Sequence, residues 1–244
     1  MDSRQFQNLL ATTSVTALLI GVAAEPAAAC YTGPFGHTNA GATACITVAN
    51  TSFTGNLVNT GTISPGNPTG ILISGSTITG AVSNTGTISA GSGIVIKNST
   101  ITAQTVLAPI GIDDRGLLVA TNGLGISIDN QSKVLGSAVG VNVELTGTFS
   151  GGLSNSGVIL GSNQGINFEL LTLVSGGITN SGSVSGLFGL QVDSVSTFTG
   201  GITNSGTITG ASTNFGAGAS SRGYRRLPAG SATAARSRGA SPRA

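Results

Sequence analysis

An eleven-residue stretch, Gly200-Gly-Ile-Thr-Asn-Ser-Gly-Thr-Ile-Thr-Gly210, recurs upstream in close copies at a nearly fixed interval, and nothing else in the sequence limits the possible folds so sharply. The copies run from Gly176 to Gly186, Gly151 to Gly161, Gly80 to Ala90 and Gly55 to Pro65, with worn versions from Gly111 to Leu118 and Ile128 to Val134. Numbered by the central Asn or Asp, they fall at Asn59, Asn84, Asp114, Asn130, Asn155, Asn180 and Asn204, at intervals of 25, 30, 16, 25, 25 and 24 residues. A period in this range signals a solenoid, in which no unit buries its apolar face alone and each stacks on its neighbours.

Alignment on the Asn shows which side chains face inward. Two residues before it stand Leu57, Val82, Ile112, Ile128, Leu153, Ile178 and Ile202; four after it stand Ile63, Ile88, Leu118, Val134, Ile159, Val184 and Ile208. A second strand follows, alternately apolar in Ile71/Ile73, Ile94/Ile96, Ile126/Ile128, Val141/Val143, Ile166/Phe168 and Leu190/Val192. A third apolar column holds Phe53, Ile78, Phe149, Val174 and Phe198. Period two marks strands with one buried face, so each unit reads as three short strands separated by Gly, Asn, Ser and Thr turns. The fold expected is an all-β parallel β-helix of six to seven coils over residues 46–212, right-handed as parallel crossovers overwhelmingly are. A propeller or sandwich would need about 40 residues per unit or longer strands. Ile128 serves two columns, so the 16-residue coil at Asp114 is expected to lack a side, and the extra residues after Asn84, including Ala108-Pro109, to form a loop.

Stacked at about 4.8 Å, the amides of Asn59, Asn84, Asn130, Asn155, Asn180 and Asn204 are expected to hydrogen-bond as a ladder, each offering donors and an acceptor. Asp114 interrupts it. An ionised carboxylate cannot donate, so that coil is expected to be distorted or exposed.

The ends differ from the middle. Residues 1–29 read as an export signal: Arg4, an apolar stretch from Leu9 to Ala24, and Ala27-Ala28-Ala29 before the expected cleavage. Thr12, Thr13, Ser14 and Thr16 interrupt a segment too short for the roughly 20 residues of a membrane-spanning helix. Cys30 and Cys45 are the only cysteines. In an exported chain they predict one disulfide, worth roughly 3 kcal/mol by loop closure, across a cap hairpin over residues 30–45. The alternative is an acylated Cys30 with Cys45 free. With His37 the only histidine, no metal-ligand spacing exists and no cofactor is implied. The segment 213–244 abandons the repeat and carries Arg222, Arg225, Arg226, Arg236, Arg238 and Arg243, six of the chain's ten basic residues. It reads as a disordered basic tail, with a truncated or frame-shifted end as the alternative, rather than a nucleic-acid arm.

The signal sequence, Cys pair and Phe-Thr-Gly-Gly-Ile-Thr-Asn-Ser-Gly-Thr-Ile-Thr-Gly repeats resemble the passenger region of bacterial autotransporters, particularly adhesin-like or haemagglutinin-like surface proteins, over about residues 30 to 212. The resemblance implies a β-helix displayed on the cell surface, adhering to a host-cell, glycan or matrix ligand, and exported through a C-terminal outer-membrane β-barrel. No run of alternating ten-residue strands for such a barrel occurs in this sequence, and the location without a translocator would be periplasmic. Other classes fit less well. A polysaccharide lyase or hydrolase needs clustered acids, or an acid with Lys or Arg; the best candidates are Asp113, Asp114 and Arg115, with Asp129 and Lys133 one coil later. An ice-binding face needs an unbroken Thr register, but Thr62, Thr87 and Thr207 are interrupted by Leu117, Val158 and Ser183. A truncated, non-functional passenger fragment is the remaining alternative.

Overall fold

The structure, a computed structural model, describes residues 30–32, 36, 38–63, 68–103, 109–144, 147–210 and the backbone of 219–222. The export signal, His37 and the rest of the basic tail lie outside the described residues. Every strand pairing is parallel, and each strand lies beside the one four elements on, so that one coil contributes a strand to each of four sheets. The chain is an all-β parallel solenoid.

Sheet I runs from Ile46–Ala49 to Ile202–Asn204, sheet II from Ser52–Thr54 to Thr207–Gly210, sheet III from Thr38–Asn39 to Ala219–Arg222, and sheet IV from Ala42–Thr43 to Thr197–Phe198. Among the described residues, sheets I, II and IV have seven strands each and sheet III has eight. Four strands per coil replace the expected three, because the turns between strands shrink to one to three residues at most corners. Along sheet I the register partners Ile46, Ile71, Ile94, Ile126, Leu153, Ile178 and Ile202 give coil lengths of 25, 23, 32, 27, 25 and 24 residues. No coil is short of a side.

The 16-residue interval has a different cause. In the first coils the Asn motif sits at the corner from sheet III to sheet IV, where Asn59 and Asn84 end their strands. In the last coils it sits at the corner from sheet I to sheet II, where Asn155, Asn180 and Asn204 end theirs. The long alternating strands exchange places with it. Thr69–Ser74 and Ser92–Lys97 belong to sheet I, whereas Val139–Glu144, Gln164–Glu169 and Phe188–Asp193 belong to sheet III. The motif thus moves half a turn around the axis between Asp114 and Leu153, and an alignment that assumes one motif per coil sees the half turn as a short coil. The Thr register dissolves for the same reason: Thr62 and Thr87 lie on sheet IV but Thr207 on sheet II.

The core is a single axial stack. The expected inward columns are buried, from Leu57 and Ile63 at one end to Ile208 at the other, except for their end members Phe53 and Ile202, which like Tyr31 are only partly covered. Phe149 and Phe168 meet edge to face, with ring centroids 5.3 Å apart. At the N-terminus, Cys30 is disulfide-bonded to Cys45, and Tyr31 bridges Ile46 in parallel. The described cap residues are not a hairpin. Thr38–Asn39 pairs parallel with Val58 and Asn59, and Ala42–Thr43 with Thr62 and Ile63. They form a worn first coil, Asn39-Ala-Gly-Ala-Thr43, whose Thr43 stands where later copies carry Ile, Leu or Val.

Two corners show what stacking demands of the backbone. At the corner from sheet IV to sheet I, Gly177 has φ of +71°, and a Cβ there would lie 2.5 Å from the Gly201 carbonyl oxygen of the next coil. At the corner from sheet III to sheet IV, Leu170 is held at φ of +55° while 48% exposed, so it bears left-handed strain without compensating burial. Asn50 and Asn98 take the same conformation at the opposite corner. Gly177→Ala is therefore expected to lower stability by about 2 kcal/mol or more, and Leu170→Asn to raise it by about 0.5–1 kcal/mol. Chemical denaturation of the two variants beside the parent checks both signs.

Candidate functional site

The inward asparagines form two ladders rather than one. On sheet III, Asn39 Nδ2 donates to Asn59 Oδ1 (2.6 Å), Asn59 Nδ2 to Asn84 Oδ1 (2.7 Å), and Asn84 Nδ2 to Asp114 Oδ1 (2.7 Å). On sheet I, Asn155 Nδ2 donates to Asn180 Oδ1 and Asn180 Nδ2 to Asn204 Oδ1, each at 2.7 Å. Every bond points toward the C-terminal neighbour. The second amide hydrogen turns back to the corner: Asn59, Asn155 and Asn180 each also donate to the carbonyl of the glycine two residues on.

Asn130 belongs to neither ladder. The residue in register with Asn155 is Ile128, and Asn130 sits exposed in the following turn. That turn is two residues longer than its counterpart after Asn155, since Val134 pairs with Ile159, and the extra length placed an Asn at the wrong point of the alignment. Its neighbour Asp129 holds the turn instead, accepting from the backbone N–H groups of Asn98 and Gln131 and from the Ser132 hydroxyl. Asp129 does not join Asp113, whose carboxylate is engaged by Arg115 and Asn142 on sheet III.

Asp114 corrects a second expectation: it is fully buried and in register, not exposed. Its Oδ1 completes the first ladder, and Oδ2 has no partner, facing the coil where the column turns apolar at Val143. Burial pushes its carboxyl up to about 7; hydrogen bonds from Asn84 and Gly116 oppose this, and the Asp113 charge adds to it. Sealed inside, Asp114 is out of reach of any substrate.

Most of the acidic side chains that reach solvent gather on the outer face of sheet III, whereas Lys97 and Lys133 lie on sheets I and II. Asp113, Asn142, Asn167 and Gln191 are in register across four coils, and Glu144, Glu169 and Asp193 form a parallel row beside them. The amides brace the acids. Asn142 Nδ2 donates to Asp113 Oδ1 (2.9 Å) and Glu144 Oε2 (3.2 Å), and Asn167 Nδ2 to Asn142 Oδ1 (2.9 Å) and Glu169 Oε2 (3.3 Å). Arg115 bridges the first coils, its Nε 3.1 Å from Asp113 and its Nη2 3.4 Å from Glu144. Four of the six acidic residues between Cys30 and Phe215 stand on this face against one arginine. The sequence signal was there unread, as Gly-x-Asn-x-Glu at 140–144 and 165–169: these polar positions are the outward half of strands noticed only for their apolar half. Asn39 was missed because its copy carries His37 and Thr43 where the later copies carry apolar residues two before and four after the Asn.

Among the described residues no group of three His, Cys, Asp or Glu side chains is placed to hold a metal ion. The face therefore offers a row of part-exposed carboxylates held at fixed spacing on a rigid sheet, suited to hydrogen-bond donors and positive charge on an extended ligand. Compared with known proteins, the chain matches no family model, no curated protein and no solved structure.

The Asp114 carboxyl carries a pH signature. Folding raises its affinity for a proton, so the contribution of this group to stability is fully present below the unfolded carboxylate range, falls as pH rises from about 4 to about 7, and is level above that. Asp114→Asn supplies an amide that can donate to the Gly116 carbonyl, as Asn155 does to Gly157. That variant is expected to show no such fall and to exceed the parent at pH 7.5 by on the order of 3–4 kcal/mol. Denaturation midpoints of both proteins across this pH range check the difference.

Proposed function

We propose that this chain is an exported adhesive β-solenoid, resembling an autotransporter passenger, that presents the outer face of sheet III to a glycan or matrix ligand at a cell surface. The observation that carries the reading is the register of Glu144, Glu169 and Asp193 in three successive coils, braced by Asn142 and Asn167. A periodic row on a stiff support suits a periodic ligand: each coil repeats the same contact about 4.8 Å further along, and several weak contacts add without the ordering cost of a flexible loop. Export rests on residues 1–29 and display on the passenger resemblance, which also implies an outer-membrane translocator.

The reading is non-enzymatic. Asp114 is out of play in the core, and Asp113 is committed to Arg115 and Asn142. A polysaccharide-acting enzyme remains the competing reading through the part-exposed cluster that Asp113, Arg115 and Glu144 form among the described residues.

Screening the full chain against glycan and matrix arrays is expected to give binding that weakens with salt and falls at least about tenfold in a Glu144→Gln/Glu169→Gln variant of unchanged stability. Binding to nothing on such arrays counts against adhesion, and release of oligosaccharide products that disappears with Glu144→Gln would replace it with the enzyme.

A further inference from the structure

The acidic row of sheet III is met by a cation at one end and not at the other. At its start Arg115 lies between carboxylates of successive coils, its Nε 3.1 Å from Asp113 and its Nη2 3.4 Å from Glu144. Two coils further on, Glu169 and Asp193 are direct register partners and both are part-exposed. Like charges so placed repel, yet among the described residues no ion pair involves either of them.

A neighbouring atom lacks a donor. Asn167 is only 3% exposed, and its Oδ1 is buried without a hydrogen-bond partner. The Nδ2 of the same amide is spent on Asn142 and Glu169, so the oxygen, on the other arm, turns toward the following coil, where Gln191 is its register partner and Asp193 stands two residues beyond. Gln191 does not satisfy it; that side chain is engaged through Oε1 by Gln164. A buried acceptor left unmet is costly, and a ligand that donates to it is favoured by that amount. Glu169, Asp193 and Asn167 Oδ1 are thus acceptors gathered within one coil step. A primary ammonium, with three donors and one positive charge, matches them in number and sign.

The rest of the row narrows what carries that ammonium. With Glu144 beside Glu169 the face presents acceptors in excess. A peptide brings as many carbonyls as N–H groups, and when extended it repeats a face every second residue, about 6.6 Å, out of step with coils stacked at about 4.8 Å. A sugar chain brings hydroxyl donors on every ring and advances by close to one coil step per ring. The geometry points to a glycan that contains free, unacetylated amino sugar as the ligand of this face. Its ammonium enters between the part-exposed Glu169 and Asp193 side chains and donates to Asn167 Oδ1, while hydroxyls of an adjoining ring donate to Glu144. This rests on the adhesive reading and names the ligand class within it: N-acetylation removes the charge and two of the three donors, and the same row repels sulfated and uronic-acid glycans.

Calorimetric titration of the full chain with a short oligomer of glucosamine, and with the same oligomer fully N-acetylated, tests this. The free-amine oligomer is expected to bind at least about tenfold more tightly, with an affinity that falls as salt is added. A Glu169→Gln/Asp193→Asn variant with unchanged circular dichroism is expected to lose that preference; should it fail to fold, Asp193→Asn alone decides. Because the backbone places Arg222 next in register to Asp193, the titrations are repeated with Arg222→Ala, so that no arginine of the chain itself can stand in for the ammonium there. Equal affinity for the two oligomers overturns the inference, as does binding of neither by both the parent and Arg222→Ala, or an oligolysine of equal charge that binds as tightly as the glucosamine oligomer. Neutral or anionic glycans bound where glucosamine is not would overturn it and leave adhesion standing, whereas a chain that binds no glycan or matrix ligand of any kind loses the adhesive reading as well.

Discussion

Parallel stacking in register is the constraint from which the rest follows. Each side chain finds its counterpart one coil away at about 4.8 Å, so every inward position must be compatible with a copy of itself. Isoleucine satisfies this by packing, in the run Ile71, Ile94 and Ile126 of sheet I. Asparagine satisfies it by hydrogen bonding, because one carboxamide accepts from below while it donates above. Glycine satisfies it by leaving room: Gly152 and Gly177 repeat one corner in which backbones approach too closely for a Cβ. A buried Asn is costly alone and stable in a row.

The same rule explains where trouble concentrates. A ladder must end, and each end leaves a polar atom without its mate. The first ends on Asp114, whose Oδ2 faces the apolar column begun by Val143, and the second on Asn204 at the last coil. Nature of the terminus matters: an aspartate ends a ladder internally by accepting without donating, whereas an asparagine ends it with a donor still extended. The half-turn exchange of motif and long strand lies between these features. It is tolerated because each half of a coil is built alike, a strand, a tight corner and a second strand, so either half can carry the Asn.

Outward positions obey the stacking rule with different chemistry. Like charges in register repel, and the row of Glu144, Glu169 and Asp193 persists because Asn142 and Asn167 donate into it and Arg115 sits at its start.

The sequence by itself determined that the chain is a parallel β-solenoid and which apolar residues face inward, because those properties depend on local alternation and on a repeat that can be counted. Leu57, Ile88, Ile159 and Val184 are buried as their spacing requires. It did not determine which sheet each copy occupies. Asn84 and Asn155 look equivalent in a local alignment, yet they lie half a turn apart, and Asn130, with the same residue type at a similar offset, stands in solvent. Turn length decides this: two added residues after Ile128 and a long connection before Ile110 shift the motif around the axis without changing its pattern. Only the tertiary structure counts corners, and so only it could place Asp114 in the core and gather Asp113, Glu144, Glu169 and Asp193 on one face.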